Sequence, residues 1–373
     1  MPETDIINQL AEIAADSALA NVRNRRPDVV NHAQGSYDVL IRPTDIGDLS
    51  HVERAQAALR TASQTGAPRL IAHYRARLQE LGQSAPQIDE VEQAGEGDVL
   101  PDRLESMLRH TDLLVHAPAA ATRGHVAELK EAGFSTRAVV SLSQLIAFVT
   151  FQARAVVGLR LLNGVADRAV LAPNCYQLDA PSHAAEKIGF TADTLAWRAW
   201  LSTLDLEDAT PDQIAVLEES TPTAKTSPYY LLLVQDVDAL RERSKLYNAI
   251  MYGPRGLKRA YRELAAVATS RINGCAYCAS VHVQRYTQLT KQPEVMQRIL
   301  EQGVDAPLEM PERAIVDYAA KLTRAPIAMT PADLEPLRHG DFNDQEILDV
   351  THASAMFAWA NRLMQTLGEP VAG

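Results

Sequence analysis

An internal repeat restricts the fold of this chain more than any other feature of its sequence. Shifted by 208 residues without a gap, Ala117–Leu159 aligns with Ala325–Leu367, and the apolar positions of the two segments stay in phase. Such a repeat indicates that one helical unit has been duplicated within the chain. Nine aligned positions are identical, and in the first copy they are Ala117, Pro118, Ala120, Thr122, Leu129, Phe134, Ala147, Arg154 and Leu159.

The repeated unit has the pattern of α-helices. In its second copy, Asn343 and Glu346 have the spacing of a capping box, and apolar or small residues then recur at helical spacing as far as Leu367. Gly368 and Pro370 end the helix. Aromatic residues make up only 5% of the chain, and strand-like alternation is hard to find. We therefore predict an all-α protein without a sheet, built from two tandem helical domains.

Breaker-rich segments separate the two predicted domains. With 373 residues, the chain is long enough for two cores. The proline-containing segments Ala172–Asn174 and Asp179–Ser182 are typical of a connection. We place domain 1 at residues 1–180 and domain 2 at residues 181–373.

The composition disfavours several classes of function. The net charge of −11 argues against a nucleic-acid surface, which needs a basic patch to attract phosphates. No basic segment followed by an apolar core opens the chain, and the apolar run Tyr229–Val234 is far shorter than the roughly 20 residues that span a bilayer. We expect a soluble cytoplasmic protein that binds neither nucleic acid nor membrane.

Two of the three cysteines form a Cys-x-x-Cys motif, Cys275 and Cys278. Because cytosolic thiols stay reduced, such a pair is catalytic or metal-binding more often than structural. Asn273 and Gly274 interrupt the helical pattern just before the motif. This break predicts that both cysteines lie in the first turn of a new helix, where the helix dipole favours a thiolate. The third cysteine, Cys175, has no such neighbours, and we interpret it as incidental.

His282 extends the motif at helical spacing. Cys275 and Cys278 are i,i+3 neighbours that can form a disulfide, and His282 follows Cys278 at i,i+4 on the same face. An imidazole there can take the thiol proton or stabilise the thiolate. Two other interpretations remain open. One is a zinc site, for which the sequence offers no obvious fourth ligand, and the other is inert burial of the thiols.

Four polar residues near the C-terminus are weaker site candidates. His339 and His352 have no thiol partner, and we interpret them as structural. Asn361 and Arg362 lie on the last predicted helix, where they either line the site or serve only in helix packing.

Together with Glu263 on the preceding helix, the stretch Asn273–His282 resembles the signature of the alkylhydroperoxidase D-like proteins of the carboxymuconolactone decarboxylase superfamily. The resemblance is to the peroxidase-related branch, whose domains contain Asn-Gly-Cys-x-Tyr-Cys-x-x-x-His. It covers residues 190–370 well and the first half only through the repeat. It implies an all-helical fold, homo-oligomers, a hydroperoxide substrate, a thiol or dithiol reductant protein and no cofactor.

The resemblance also implies a role for each site residue. Cys278 attacks the peroxide oxygen, and Cys275 resolves the resulting sulfenic acid as a disulfide and meets the external reductant. Glu263 and His282 form a proton relay that makes the thiolate and protonates the leaving alkoxide. The alternative for Glu263 is a surface carboxylate, since charged residues are mostly solvated. The founding protein has a histidine where this chain has Tyr277, and a tyrosine is a poor base at neutral pH.

Domain 1 has no cysteine in the part that corresponds to this site, so we predict a degenerate copy without dithiol chemistry. With one residue of slippage, His73 falls at the position of His282, and Gly66 and Arg69 fall at those of the cysteines. We expect domain 1 to serve as a packing partner for domain 2.

The leading functional prediction is a thiol-dependent peroxidase that works through a Cys-x-x-Cys dithiol–disulfide cycle. A general dithiol–disulfide oxidoreductase without peroxide specificity would use the same residues. A helical binding or assembly module whose thiols sense redox state is the non-enzymatic alternative. A decarboxylase, as in the superfamily's other branch, is disfavoured because that branch lacks the cysteine pair. Repeated turnover of peroxide distinguishes an enzyme from a sensor.

Overall fold

Almost all regular structure in the computed structural model is helical, as predicted. The structure describes residues 5–95, 98–166 and 183–373. Cys175 and the predicted domain boundary at residue 180 lie outside these ranges, so the boundary stays a prediction. Before residue 167 the helices are α1 (Ile6–Ala11), α2 (Ala18–Arg23), α3 (Pro27–Ile41), α4 (His51–Gln64), α5 (Pro68–Glu80), α6 (Ala85–Gln93), α7 (Asp102–His116), α8 (Arg123–Glu131) and α9 (Thr136–Leu162). From residue 183 onward they are α10 (His183–Ile188), α11 (Pro211–Ser220), α12 (Pro228–Leu233), α13 (Val237–Tyr252), α14 (Arg259–Ile272), α15 (Ala276–Thr290), α16 (Pro293–Gln302), α17 (Glu312–Arg324), α18 (Glu335–His339) and α19 (Asp344–Thr366), with strands β1 (Leu195–Ala199) and β2 (Gly368–Ala372).

The helices recur at the spacing of the sequence repeat. α4 and α14 begin 208 residues apart, and the same holds for α5 and α15, for α6 and α16, and for α9 and α19. The start of α19 also has the predicted cap, because Asn343 Oδ1 accepts from the Glu346 N–H at 3.2 Å and Glu346 Oε2 accepts from the Asn343 N–H at 3.1 Å. The repeat therefore extends beyond the segment detected in the sequence and includes the helices that carry the cysteine motif.

The long helices α9 and α19 form the centre of the structure. Trp359 of α19 lies edge-on against Phe148 of α9, with ring centroids 5.3 Å apart, and its indole N–H donates to Gln144 Oε1 at 2.9 Å. By length and composition α9 could cross a membrane, a feature that the shorter run Tyr229–Val234 did not reveal. However, 94% of its most apolar window is buried inside the protein, so α9 is a core helix.

Two equivalent arginines join the repeats reciprocally. Arg154 on α9 donates to the Thr323 carbonyl oxygen at 2.8 Å, and Arg362 on α19 donates to the Val115 carbonyl oxygen at 3.1 Å. The two arginines are 208 residues apart, and so are Val115 and Thr323. Each repeat thus places its arginine on the other, as across an axis of approximate twofold symmetry. Both side chains are fully buried, so these contacts belong to the core between the repeats.

A short antiparallel ribbon is the part of the fold that the sequence did not predict. β1 pairs with β2 from Leu195 opposite Ala372 to Ala199 opposite Gly368. Gly368 ends α19 as expected, and the strand that follows packs so closely on Trp197 that a Cβ at Gly368 would lie 2.2 Å from the indole. The expectation of no sheet is wrong in this respect, because five-residue strands are too short for their alternation to stand out in the sequence.

Candidate active site

The two cysteines lie at a tight turn between α14 and α15. Gly274 has a φ of 75°, and the Cys275 N–H donates to the Ser270 carbonyl oxygen at 2.9 Å, which is the pattern of a Schellman motif. Glycine adopts this left-handed conformation without the steric cost of a Cβ. The turn makes Cys275 the N-cap of α15 and Cys278 its third residue. Cys275 therefore lies one residue before the helical turn in which the sequence placed it.

Amide side chains from α19 hold this turn in place. Asn361 Oδ1 accepts from Asn273 Nδ2 at 3.0 Å, and Asn361 Nδ2 donates to Ser270 Oγ at 3.0 Å. Gln365 Nε2 donates to the Asn273 carbonyl oxygen at 2.9 Å. Asn361 is fully buried. Of the two roles left open by the sequence, Asn361 thus has the packing role, and through it supports the turn that carries the cysteines.

Both thiols are free and buried, with exposed fractions of 2% for Cys275 and 6% for Cys278. Cys278 is close enough to Cys275 to affect the ionisation of its thiol. Burial raises the pKa of the Cys275 thiol well above its usual value, and the adjacent Cys278 raises it further. The expectation that the start of the helix favours a thiolate at both positions is therefore wrong for Cys275, which remains protonated at neutral pH.

Glu263 on α14 and His282 on α15 form a buried pair across the turn. Glu263 Oε2 lies 2.5 Å from His282 Nδ1, and Glu263 Oε1 accepts from Arg259 Nε at 3.2 Å. Glu263 is completely buried. Burial acts to raise the pKa of Glu263, but the charge and hydrogen bond of His282, together with Arg259, outweigh it and hold that pKa below its usual value. Glu263 is an ionised, buried residue, and the alternative of a surface carboxylate is wrong.

The carboxylate fixes the orientation of the imidazole. Because the N–H at Nδ1 of His282 donates to Glu263, Nε2 is the nitrogen that remains available for proton exchange. Phe357 packs edge-on against the imidazole, with ring centroids 4.4 Å apart and an interplanar angle of 78°. A carboxylate and an aromatic ring thus hold His282 in one orientation, as an effective general base requires.

A cavity of about 290 Å³ opens beside the dithiol. Cys278 and His282 both line it, whereas Cys275 and Glu263 do not. A small molecule in the cavity therefore reaches one thiol and one nitrogen base, with the second thiol and the carboxylate behind them. The cavity is also lined by five tyrosines and two arginines, namely Tyr229, Tyr230, Tyr247, Tyr252, Tyr277, Arg243 and Arg285.

The sequence alone does not indicate that most of these residues belong to the site. Tyr229 and Tyr230 lie on α12, and Arg243 and Tyr247 lie one helical turn apart on α13. Their i,i+4 spacing is visible in the sequence, but nothing there relates α12 and α13 to the cysteine motif on α15. Tyr277 was noted only as a departure from the family pattern. It lines the cavity, and burial raises its pKa, so it is no base at neutral pH.

The cavity lining does not include His339, His352 or Arg362. His339 is exposed, while burial, followed by the charges of Arg23 and Arg26, lowers the pKa of His352 to about 3. Both fit the structural interpretation. Arg362 serves in packing between the repeats. Within the described part of the chain, no group of three or more His, Cys, Asp or Glu side chains is arranged to hold a metal ion.

The equivalent turn in the first repeat lacks the functional groups of the site. Gly66 has a φ of 65°, and the Ala67 N–H donates to the Ala62 carbonyl oxygen at 3.1 Å, so the Schellman motif is repeated. The gapless offset of 208 residues therefore holds here, and the slipped alignment that paired His73 with His282 is wrong. Without slippage, the positions of Glu263, Cys275, Cys278 and His282 correspond to Ala55, Ala67, Leu70 and Tyr74.

Fold and site together define a class: a helical protein with a dithiol at the start of one helix and a glutamate–histidine pair beside it. Residues 238–321, which include all four site residues, match the model of the Carboxymuconolactone decarboxylase family. No curated protein matches the chain.

Two solved structures are similar to part of the chain. An uncharacterized peroxidase-related protein from Silicibacter sp. TM1040 is 30% identical, with a TM-score of 0.39, over 46% of this chain and 92% of that chain. An uncharacterized peroxidase-related protein from Ralstonia eutropha JMP134, described as an alkylhydroperoxidase AhpD core, is 28% identical, with a TM-score of 0.41, over 45% of this chain and 88% of that chain. The segment that carries the candidate site is therefore similar to the Carboxymuconolactone decarboxylase family.

Proposed function

We propose that this chain is a thiol-dependent peroxidase that reduces hydroperoxides through a dithiol–disulfide cycle of Cys278 and Cys275. The observation that carries the proposal is the shared cavity, which both Cys278 and His282 line while Glu263 is hydrogen-bonded to His282. A small oxidant in that cavity meets a nucleophile and a base together. The two related structures are also named as peroxidase-related.

The first step oxidises Cys278. His282 Nε2 accepts the proton of the Cys278 thiol, and the Glu263 carboxylate stabilises the imidazolium that forms. The thiolate attacks the terminal oxygen of the hydroperoxide, the O–O bond breaks, and Cys278 becomes a sulfenic acid. The imidazolium returns its proton to the departing alkoxide, which leaves as an alcohol. Tyr277 takes no part in this proton transfer, because burial raises its pKa.

The second step closes the disulfide and the third reopens it. The Cys275 sulfur attacks the sulfenic sulfur of Cys278, the S–O bond breaks, and water leaves with the proton of the Cys275 thiol. The closeness of the two cysteines, which are i,i+3 neighbours, supports this order, because the resolving thiol is already near the oxidised sulfur. An external dithiol then reduces the disulfide, gives up its two protons to the cysteines and becomes a disulfide itself.

Two rival functions use the same residues. A general dithiol–disulfide oxidoreductase must bring a second protein's sulfur to the reactive thiol, and the 6% exposure of Cys278 at a cavity of about 290 Å³ favours a small oxidant instead. A redox sensor needs only one oxidation event. The Glu263–His282 pair suits both functions, and only repeated turnover of peroxide distinguishes them.

Peroxide consumption with dithiothreitol as reductant tests the proposal. The wild type is expected to consume many equivalents of tert-butyl hydroperoxide, and Cys278→Ser none. Cys175→Ser serves as the matched cysteine control and keeps turnover. Consumption of a single equivalent by the wild type would establish a sensor. Reduction of insulin disulfides without peroxide turnover would establish a general oxidoreductase.

We further propose that the protein acts in the cytoplasm with a thiol or dithiol reductant protein and that it forms a homo-oligomer. In this proposal, domain 1 (residues 1–180) is a degenerate packing domain and domain 2 (residues 181–373) is the catalytic domain. The family resemblance supports the oligomer and the reductant. The absence of thiol and imidazole at the equivalent positions of the first repeat supports the division of roles. Light scattering at micromolar concentration tests the assembly, and a monomer there contradicts it.

A further inference from the structure

Arg243 gives the cavity beside Cys278 a positive charge that no acidic side chain neutralises. It lies on α13, is 3% exposed, and lines the same cavity as Cys278 and His282. Within the described ranges no carboxylate lies within ion-pair distance of its guanidinium, and its Nε has no hydrogen-bond partner. Burying a charge without a counter-ion is costly. Such a residue in a cavity indicates a ligand that supplies the opposite charge.

Aromatic rings and hydroxyls surround Arg243. Its guanidinium lies 5.4 Å from the centroid of the Tyr229 ring and 6.0 Å from that of Trp359. The hydroxyl of Tyr229, another cavity residue, is buried without a partner. Arg243 Nε and the Tyr229 hydroxyl are therefore two buried donors without a partner, on residues that both line the cavity.

The charges around the cavity all favour an anion. No aspartate or glutamate lines it, although acidic residues outnumber basic ones 47 to 36 in the chain. Arg285, an exposed residue on α15, adds a second positive charge to the lining. A cavity with positive potential in an acidic protein attracts negatively charged small molecules selectively.

We propose that Arg243 and Tyr229 bind the carboxylate of an organic hydroperoxide, so that the substrate of this site is a small carboxylate-bearing hydroperoxide. This substrate class rests on the peroxidase function proposed above. A planar guanidinium matches a carboxylate with two parallel hydrogen bonds, and the tyrosine rings of the cavity suit an apolar or aromatic body. Cys275, the thiol assigned to the reductant, does not line the cavity. This assigns the carboxylate to the oxidising substrate.

Binding of unreactive probes tests the anion site without turnover. Titration calorimetry on the reduced wild type is expected to show benzoate binding about tenfold or more tighter than benzamide, its neutral counterpart of the same shape. Arg243→Gln loses this preference, and Arg243→Lys, which keeps the charge and guards against a folding defect, retains part of it. Arg241→Gln, on the same helix but paired with Asp212 at the surface, keeps it in full. Equal binding of both probes overturns the proposal, and so does tighter binding of inorganic phosphate at the same site.

Kinetics with matched substrates tests the assignment to the oxidant. With dithiothreitol as a neutral reductant, the ratio of kcat/KM for 4-carboxycumene hydroperoxide to that for cumene hydroperoxide is expected to fall about tenfold in Arg243→Gln and to stay constant in Arg241→Gln. A dependence on Arg243 that appears only when glutathione replaces dithiothreitol overturns the assignment. If no peroxide is consumed but benzoate is still preferred, the peroxidase proposal fails and the anion site stands. If peroxide is turned over with equal kcat/KM for both substrates, the peroxidase proposal stands and the carboxylate site fails.

Discussion

Glu263 Oε2 and His282 Nδ1 lie 2.5 Å apart although 19 residues separate them in the chain. The turn at Gly274 brings their two helices together, and both side chains are buried. The carboxylate of Glu263 thus fixes the tautomer and the orientation of His282, which lines the cavity. General base catalysis requires this arrangement.

Replacement of Glu263 by glutamine is expected to slow the reaction of Cys278 with iodoacetamide about tenfold at pH 7. A neutral amide does not stabilise the imidazolium, so the thiol gives up its proton less readily. Because the pKa of Glu263 is held below its usual value, the carboxylate stays ionised through neutral pH, and the wild-type profile shows no step from it there. The measurement is the pH dependence of alkylation, with the exposed Glu294→Gln on α16 as control. A wild-type profile in both Glu263→Gln and His282→Gln contradicts the relay.

Trapping of sulfenic acid is expected to distinguish the two thiols. In Cys275→Ser, one equivalent of peroxide leaves a stable sulfenic acid on Cys278, because the resolving sulfur is gone and turnover stops. In Cys278→Ser, no sulfenic acid forms, since Cys275 does not line the cavity and its raised pKa keeps it protonated. Dimedone labelling followed by mass spectrometry makes the assignment. Label on Cys275 would reverse the two roles.

The reciprocal arginines are expected to contribute equally to stability. Arg362→Met leaves the Val115 carbonyl oxygen without its donor, and Arg154→Met does the same to Thr323, so each variant loses about 2–4 kcal/mol of unfolding free energy. Urea denaturation measures both losses. Arg109→Met, at an arginine whose side chain is 60% exposed, changes stability by less than about 0.5 kcal/mol. A large loss in only one of the buried variants contradicts the twofold relation between the repeats.

The buried histidines are expected to make the protein less stable as the pH falls below about 6.5. Burial lowers the pKa of His110 to about 3 and that of His73 to about 4, so in the folded protein both stay neutral where an unfolded chain takes up protons. Each such group costs about 1.4 kcal/mol of unfolding free energy per pH unit between the unfolded and folded pKa values. Denaturation curves from pH 6.5 to 4.5 measure the slope. His110→Gln flattens it, whereas the exposed His339→Gln leaves it unchanged; equal slopes in all three proteins contradict the prediction.

The sequence predicts the part of the site that one helix sets. Cys278 and His282 are a single turn apart, and helical geometry alone places them on one face. The role of Glu263 needed the family resemblance, because a charged residue beside Arg262 has no feature that indicates complete burial. The correct alignment of the first repeat with the second could have been predicted from the sequence. Gly66 and Gly274 both end a helix in a Schellman motif, and aligning the two glycines gives the correct offset.

The cavity could not be predicted in the same way. Tyr229 and Arg243 lie on α12 and α13, and their approach to Cys278 depends on how α12 packs against β1 and how α13 packs against α19. Tertiary packing of this kind leaves no periodic signal in the sequence. The β1–β2 ribbon escaped prediction for a related reason, since its strands are stabilised by pairing between residues 169 to 177 positions apart rather than by local pattern.

Arg154 and Arg362 each bind the other repeat. Joining the two repeats in one chain therefore affects their assembly at low protein concentration and the divergence of their sequences. Two separate copies of one repeat would meet only at concentrations above their dissociation constant, whereas copies joined in one chain meet at a much higher effective concentration. The helices around the dithiol therefore stay assembled however dilute the chain becomes. Joining the copies in one chain also allows them to differ in sequence. The position of His282 holds a tyrosine, Tyr74, in the other repeat, whereas each arginine keeps its hydrogen bond to the opposite repeat.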